Sequence, residues 1–288
     1  MANETGLDSS GISSSVPALL RTKALKARYA ASMVWKHCMN GLEGDPFVKG
    51  AINKFGDTVT FQIMPSITVQ DISTTDGSIT RQEISPTQGT ITIDSWKGAE
   101  VFVVDIVDAQ SVIQWQDELS DAFGKAVSEA QDTSILALVA NLTTNAQGDT
   151  NAFSDPKVLL AQRTLDTAKV PRMDRTWAIS PTAEADLMTN DKFVIASATG
   201  FQRGLQVEGG RITGLYGTPV VVTPLVTTTS AQLDNVLFHK EAFGVVMQKD
   251  FKFEVRARTS FGTTYAASAL YGVATLRDNH AVRSRSGA

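Results

Sequence analysis

The residues able to do chemistry are few and scattered. His37, His239 and His280 lie in three separate segments, without the spacing that metal ligands on one motif show. Cys38 is the one cysteine, so neither an intrachain disulfide nor a cysteine metal cluster can form. His37 and Cys38 are adjacent, which does not bring their side chains together on a helix. Asp117, Glu118 and Asp121 fall on or near one helical face; a paired-acid site could use that spacing, and a solvated helix face is the simpler account. Gly204, Gly209, Gly210, Gly214 and Gly217 give neither a dinucleotide fingerprint nor a phosphate loop, so they read as turn makers. No Gly-x-Ser-x-Gly elbow is present. The sequence therefore nominates no catalytic, cofactor-binding or metal-ligating residue.

Composition narrows the classes further. The 288 residues are 42% hydrophobic and 19% charged, which is globular. The net charge of −4 and the pI near 5.4 argue against a sequence-specific nucleic-acid binder. A mildly acidic chain can still enclose nucleic acid, because phosphate repulsion disfavours sticking. Aromatic residues are too few, at 7%, to suggest a stacking platform for single strands. No apolar run of about 18 residues exists, so no membrane-spanning helix is expected. The polar N-terminus lacks a signal pattern, and a cytosol-like compartment is expected.

The elements that organise the chain centre on residues 108–144. From Asp108 to Leu142, apolar residues recur at Val112, Trp115, Leu119, Phe123, Val127, Ala130, Ile135, Leu138 and Leu142. This stripe fits one amphipathic helix, with Gln116, Glu118, Asp121, Lys125, Glu129 and Gln131 on its other faces. Such a helix would be roughly 50 Å long. Periodicity alone equally allows two helices broken near Gly124 or Thr133. The setting, between a helix-free excursion and an α/β stretch, favours one unbroken spine.

Residues 1–56 read as an arm, with a helix from Pro17 to Met39 bearing Arg21, Lys23, Lys26 and Arg28. Residues 57–107 read as strands carrying an extended hairpin. Asp57–Met64 and Ile67–Ile72 alternate, Asp76-Gly77 marks the turn, and Ile79–Ile84 returns. The outer part is too polar for a core of its own, and such ribbons are marginal in isolation. It must lie on something else, such as a neighbouring subunit, or belong to an intradomain sheet. Asp71, Asp76, Gly77, Arg81 and Glu83 are the candidate contact residues. Residues 145–235 alternate helix and strand. Asp155-Pro156 and Ser180-Pro181 mark helix starts, with Val158, Leu159, Leu165 and Ala168 inward on the first helix. Residues 236–288 return to strands and end in a basic tail at Arg283-Ser284-Arg285.

This order of parts resembles the major capsid proteins of tailed phages, the Hong Kong-97 coat fold. PRMDRTWAISPTAEADLMTNDKF (171–193), GRITGLYGTPVVVTP (210–224) and LFHKEAFGVVMQK (237–249) resemble strings of that family. The resemblance implies an α+β fold with N-arm, extended loop, peripheral domain with spine helix, and axial domain. It implies no enzyme, but a structural subunit that partners itself in pentamers and hexamers of an icosahedral shell around double-stranded DNA. Contact with that DNA would be non-specific, and a portal protein would complete the shell. A longer, cleavable N-terminal region is not seen before the first strand, so a separate scaffolding protein is expected. The loop between Met64 and Ile93 contains no lysine, which argues against covalent cross-linking through it. The competing readings are an encapsulin-like compartment, a different virion component and an α/β enzyme.

Overall fold

The computed structural model describes residues 33–39, 56, 58–63, 67–72, 79–85, 87–111, 115–142, 152–189, 207–208, 211–257 and 261–287. Two sheets and one long helix carry most of the core. The first sheet is antiparallel and three-stranded, in the order β11 (Phe243–Ala257), β12 (Gly262–Thr275), β3 (Ser95–Val104). The second has β13 (Ala281–Gly287), β10 (Gln232–His239), β4 (Arg175–Ile179), β8 (Thr218–Val222) and β7 (Gly214–Leu215) side by side, with β9 (Thr228–Thr229) also on β10. Only β4 and β8 run parallel in the described sheets. Two ribbons complete the strands: β1 (Thr58–Ile63) with β2 (Thr87–Thr92), and β5 (Val207–Glu208) with β6 (Arg211–Ile212).

The expected single helix from Asp108 to Leu142 is two helices. α1 spans Asp105–Gln110, Ser111 is extended at ψ 139°, and α2 spans Trp115–Val139. Ser111, Val112 and Ile113 are poor helix formers, which accounts for the break's position. Gly124 and Thr133 do not break α2. Val112 lies outside the described residues. Asp105 and Asp108 both belong to α1.

α2 bridges the two sheets. Trp115, Leu119, Phe123 and Val127 pack on the three-stranded sheet, among Phe251, Phe253, Tyr265 and Tyr271. Ile135, Leu136 and Val139 pack on the second sheet, against Val236, Phe238 and Ala281. The other face of that sheet lies under α3 (Asp155–Thr167) and α4 (Pro181–Met188), where Trp177, Ile179 and Leu237 meet Val158, Leu165 and Leu187. Strand alternation explains the division: Trp177 and Ile179 face one way, Ala178 the other.

Local signals account for the helix starts, with adjustments. Ser180 caps α4 as read, its Oγ accepting from Ala183 N at 3.1 Å. For α3 the cap is Ser154, and Asp155 is the first helical residue. Asp155 is buried and accepts a hydrogen bond from the Tyr216 hydroxyl. Leu159 and Ala168, expected inward, are exposed, and Ala161 takes the inward place. Tyr216 (φ 51°) and Gly217 (φ 80°) form the two-residue turn between β7 and β8. Residues 34–37 make one 3-10 turn, with Met33 and Cys38 extended on either side; residues 17–32 of the expected N-terminal helix, with Arg21, Lys23, Lys26 and Arg28, lie outside the described residues. So do residues 190–206 and 209–210 of the stretch expected to alternate helix and strand.

The expected basic tail is not a tail. Arg283 and Arg285 sit in β13, which pairs over its full length with β10. They are retained there by buried Asp234, whose Oδ1 accepts from Arg285 Nε at 2.8 Å. The boundary expected at 235 consequently falls inside β10.

Candidate functional site

The 25 residues of α2 reach about 37 Å. Its stripe is graded. Phe123 and Val127 are buried, whereas Trp115 and Leu119 are half-buried, so the stripe thins toward the helix start. Phe123 meets Phe253 at 5.9 Å, and Phe253 stacks on Tyr265 at 6.2 Å. Gln131, expected on a polar face, is buried in the helix. Asp132 beside it is buried too, and accepts from Val34 N (3.0 Å) and Trp35 N (2.9 Å), holding the 3-10 turn against α2. Burial pushes the Asp132 carboxyl up to about 6, against the lowering effect of those two bonds. At the other end Arg283 Nη1 donates to Ala140 O at 2.7 Å, a cation on the open carbonyls of a helix terminus.

The excursion between β1 and β2 has a seated root and an uncovered outer part. Val59, Ile91 and Ile93 are buried against Val246 and Leu270 of the three-stranded sheet. Gly272 permits this contact, since a Cβ there would come within 2.3 Å of Thr92 O. Beyond the root, residues 67–72 and 79–85 are not in strands, contrary to the alternation. A two-stranded ribbon with no face to pack on has little to hold its ladder. One side chain links the legs: Gln82 Nε2 donates to Thr68 O at 2.6 Å and Gln82 Oε1 accepts from Thr68 N at 3.3 Å. Ile67, Ile72, Ile79 and Ile84 are exposed, and Val69 is 95% exposed. Asp71, Arg81 and Glu83 are exposed on the same legs; Asp76 and Gly77 lie outside the described residues.

A second uncovered surface escaped the sequence reading. On β3, Val103 faces α2, while Trp96 (71% exposed) and Phe102 face away. The register sets Trp96, Gly98, Glu100 and Phe102 opposite Leu270, Ser268, Ala266 and Thr264, and the last three opposite Lys252, Glu254 and Arg256 of β11. The result is an open trough with a floor of Gly98, Ala266 and Ser268 beside a charged row. Glu254 pairs with both Lys252 and Arg256, whose hydrogen bonds hold its carboxyl below the usual range. Phe261 and Ile106 extend the apolar surface near Val104. The missed signal was in β3 itself: apolar residues on both faces of a strand call for cover on both. The chain's described residues cover one.

The sequence profile of the phage capsid protein family matches residues 87–284. The chain belongs to that family. A comparison with curated protein sequences found no match. Among solved structures, a chain of Mycobacterium phage Che8 aligns with a TM-score of 0.66 and 22% identity, over 87% of this chain and 90% of that one. The capsid of the cyanophage P-SCSP1u aligns at 0.62 and 19% identity, over 82% and 85%. A virus-like particle from Pyrococcus furiosus aligns at 0.57 and 11% identity, over 91% and 97%. The resemblance to phage coat proteins read from the sequence is thereby borne out, and so is the α+β capsid fold. The family is a structural one that forms shells. No described helix is long and apolar enough to cross a membrane.

Proposed function

We propose that the chain is the major capsid protein of a tailed phage, assembling as pentamers and hexamers of an icosahedral shell around double-stranded DNA. The observation that carries this reading is the extended excursion, with Val69 and four isoleucines facing water in a subunit of a capsid family. Each apolar side chain covered by a neighbour gains roughly 1.5–3 kcal/mol, so the legs favour contact between copies. Asp71, Arg81 and Glu83 on the same legs would set its register through charge, and Asp76 and Gly77 complete the contact set. The spine, from Trp115 through Leu119, Phe123 and Val127, fixes the distance between the peripheral part and the axial part. The proposed parts are an arm over 1–56, an extended loop beginning at 57, a spine on α2, an axial part from 145 through β10, and return strands from β11 onward. A separate scaffolding protein, a portal protein and non-specific contact with the packaged DNA complete the proposed partners. The net charge of −4 suits a wall that does not grip its contents.

Electron micrographs of the expressed chain, alone and with a scaffolding protein, test the reading. Closed shells of uniform size support it. A small soluble oligomer under every condition, or a tube or ring, overturns it. A second reading, a protein compartment that carries no phage DNA, draws on the likeness to the Pyrococcus furiosus particle. Particles that protect double-stranded DNA from nuclease favour the phage shell; particles filled with protein favour the compartment.

A further inference from the structure

The register of β10 on β13 sets two histidines side by side. Phe238 pairs with Ala281, and His239 and His280 follow at the same end. Their ring centroids are 5.6 Å apart. Both residues are 7% exposed. Glu241, two residues beyond His239, brings its Oε2 to 3.9 Å from His280 Nδ1. One ligand atom from each of the three lies within 4.8 Å of the other two. His280 Nδ1 is buried and has no hydrogen-bond partner. An orphan of that kind is costly unless something fills its lone pair. His239 Nδ1 accepts from Glu241 N at 3.3 Å, a long bond that ligation through His239 gives up.

The cluster sits where the two sheets exchange chain. Residues 240–242 carry β10 into β11, and residues 276–280 carry β12 into β13. Ala242 O accepts from Leu276 N (2.8 Å) and Arg277 N (3.3 Å), so the two crossings already touch. His239 and Glu241 belong to the first crossing, His280 to the second.

We propose that His239, Glu241 and His280 form a site for a divalent transition-metal ion of the zinc class, stapling the two crossings between the sheets. Two imidazole nitrogens and one carboxylate are a borderline donor set, suited to zinc and its neighbours. Calcium and magnesium prefer all-oxygen sites. Bonds of about 2.0–2.2 Å require the three ligand atoms to close in from their present spacing. The half-exposed Glu241 side chain supplies the movement, with Arg277 Nε, now 3.6 Å from its Oε2, giving way. A water takes the remaining position. All three ligands come from one chain.

The test uses full-length protein without a histidine tag, treated with chelator and titrated with Co²⁺. Wild type should bind one equivalent with visible d–d absorption, which Zn²⁺ then displaces. His280→Gln and Glu241→Gln should each weaken Co²⁺ binding about tenfold or more, while His37→Gln leaves it unchanged. Glu241→Gln alters a partly exposed side chain, so it decides the matter even if His280→Gln does not fold. Absence of one-equivalent binding in wild type overturns the proposal, as does binding unaffected by Glu241→Gln or abolished by His37→Gln.

Discussion

Arg283 donates to the carbonyl of Ala140 at 2.7 Å, tying the last strand to the end of the long helix. The same guanidinium lies 3.9 Å from the Asp234 carboxylate, which is 1% exposed. Arg283→Met should therefore cost about 1–3 kcal/mol, by leaving a helix-end carbonyl unmet and a buried carboxylate with less counter-charge. Asp234→Ala should cost more, about 3–5 kcal/mol, because it strands two arginines. Urea unfolding of dissociated subunits measures both; equal and negligible losses would show that β13 is held by its ladder alone.

Asp132 gives the pH dependence a sign. Its carboxyl, raised from 3.8 to about 6 by burial, binds its proton more tightly in the fold than in the unfolded chain. Its contribution is therefore complete below 3.8 and is lost as pH rises through 6, on the order of 3 kcal/mol in all. Between about pH 4 and about pH 6, wild-type stability should fall relative to Asp132→Asn. Parallel curves for the two proteins would mean that the carboxyl ionises normally.

Two glycines should respond oppositely to the same substitution. Gly272→Ala pushes a methyl into the backbone of Thr92 and Ile93, so the β1–β2 ribbon must lift from its seat. A loss of at least about 2 kcal/mol is expected. Gly124→Ala, inside α2 with nothing within 4 Å of the new methyl, should gain about 0.5–1 kcal/mol. Thermal melts of the pair check the assignment of the ribbon's seat.

The turn between β9 and β10 also invites stabilisation. Ser230 (φ 54°) and Ala231 (φ 59°) occupy left-handed positions that asparagine and glycine fill at less cost. Ser230→Asn with Ala231→Gly should raise the unfolding free energy by about 1 kcal/mol. A drop would mean that the turn relaxes in solution.

The exposed legs separate folding from assembly. Val69→Ser with Ile72→Ser removes apolar surface that packs on nothing described within the chain. Subunit stability should change by less than about 0.5 kcal/mol, while shell yield falls sharply. Loss of subunit stability would place the legs in an intradomain sheet.

The sequence disclosed elements whose signals are local and hid those that depend on register. Ser180-Pro181 announced α4 by its cap chemistry, and Gly217 announced a turn. The burial of Phe123 and Val127 was legible as helical period. The break at Ser111 was not, because apolar period continues across it. Arg283 and Arg285 looked like a solvated tail, since nothing local shows that Asp234 waits 49 and 51 residues upstream. His239 and His280 read as unrelated for the same reason: only the pairing of β10 with β13 makes them neighbours. The exposure of Trp96 and Phe102 depends on register too, although apolar character on both faces of β3 asks for cover from outside.

The legs at 67–72 and 79–85, clasped only through Gln82 and Thr68 among the described contacts, bear on geometry beyond the single subunit. A closed surface of pentamers and hexamers asks one polypeptide to meet neighbours at more than one angle. A rigid ladder would fit one of those angles and strain at the others. In the proposed shell, legs outside any strand would redirect their side chains at each position for little free energy, so adaptability would be concentrated at the proposed contact while α2 kept the span of each copy the same.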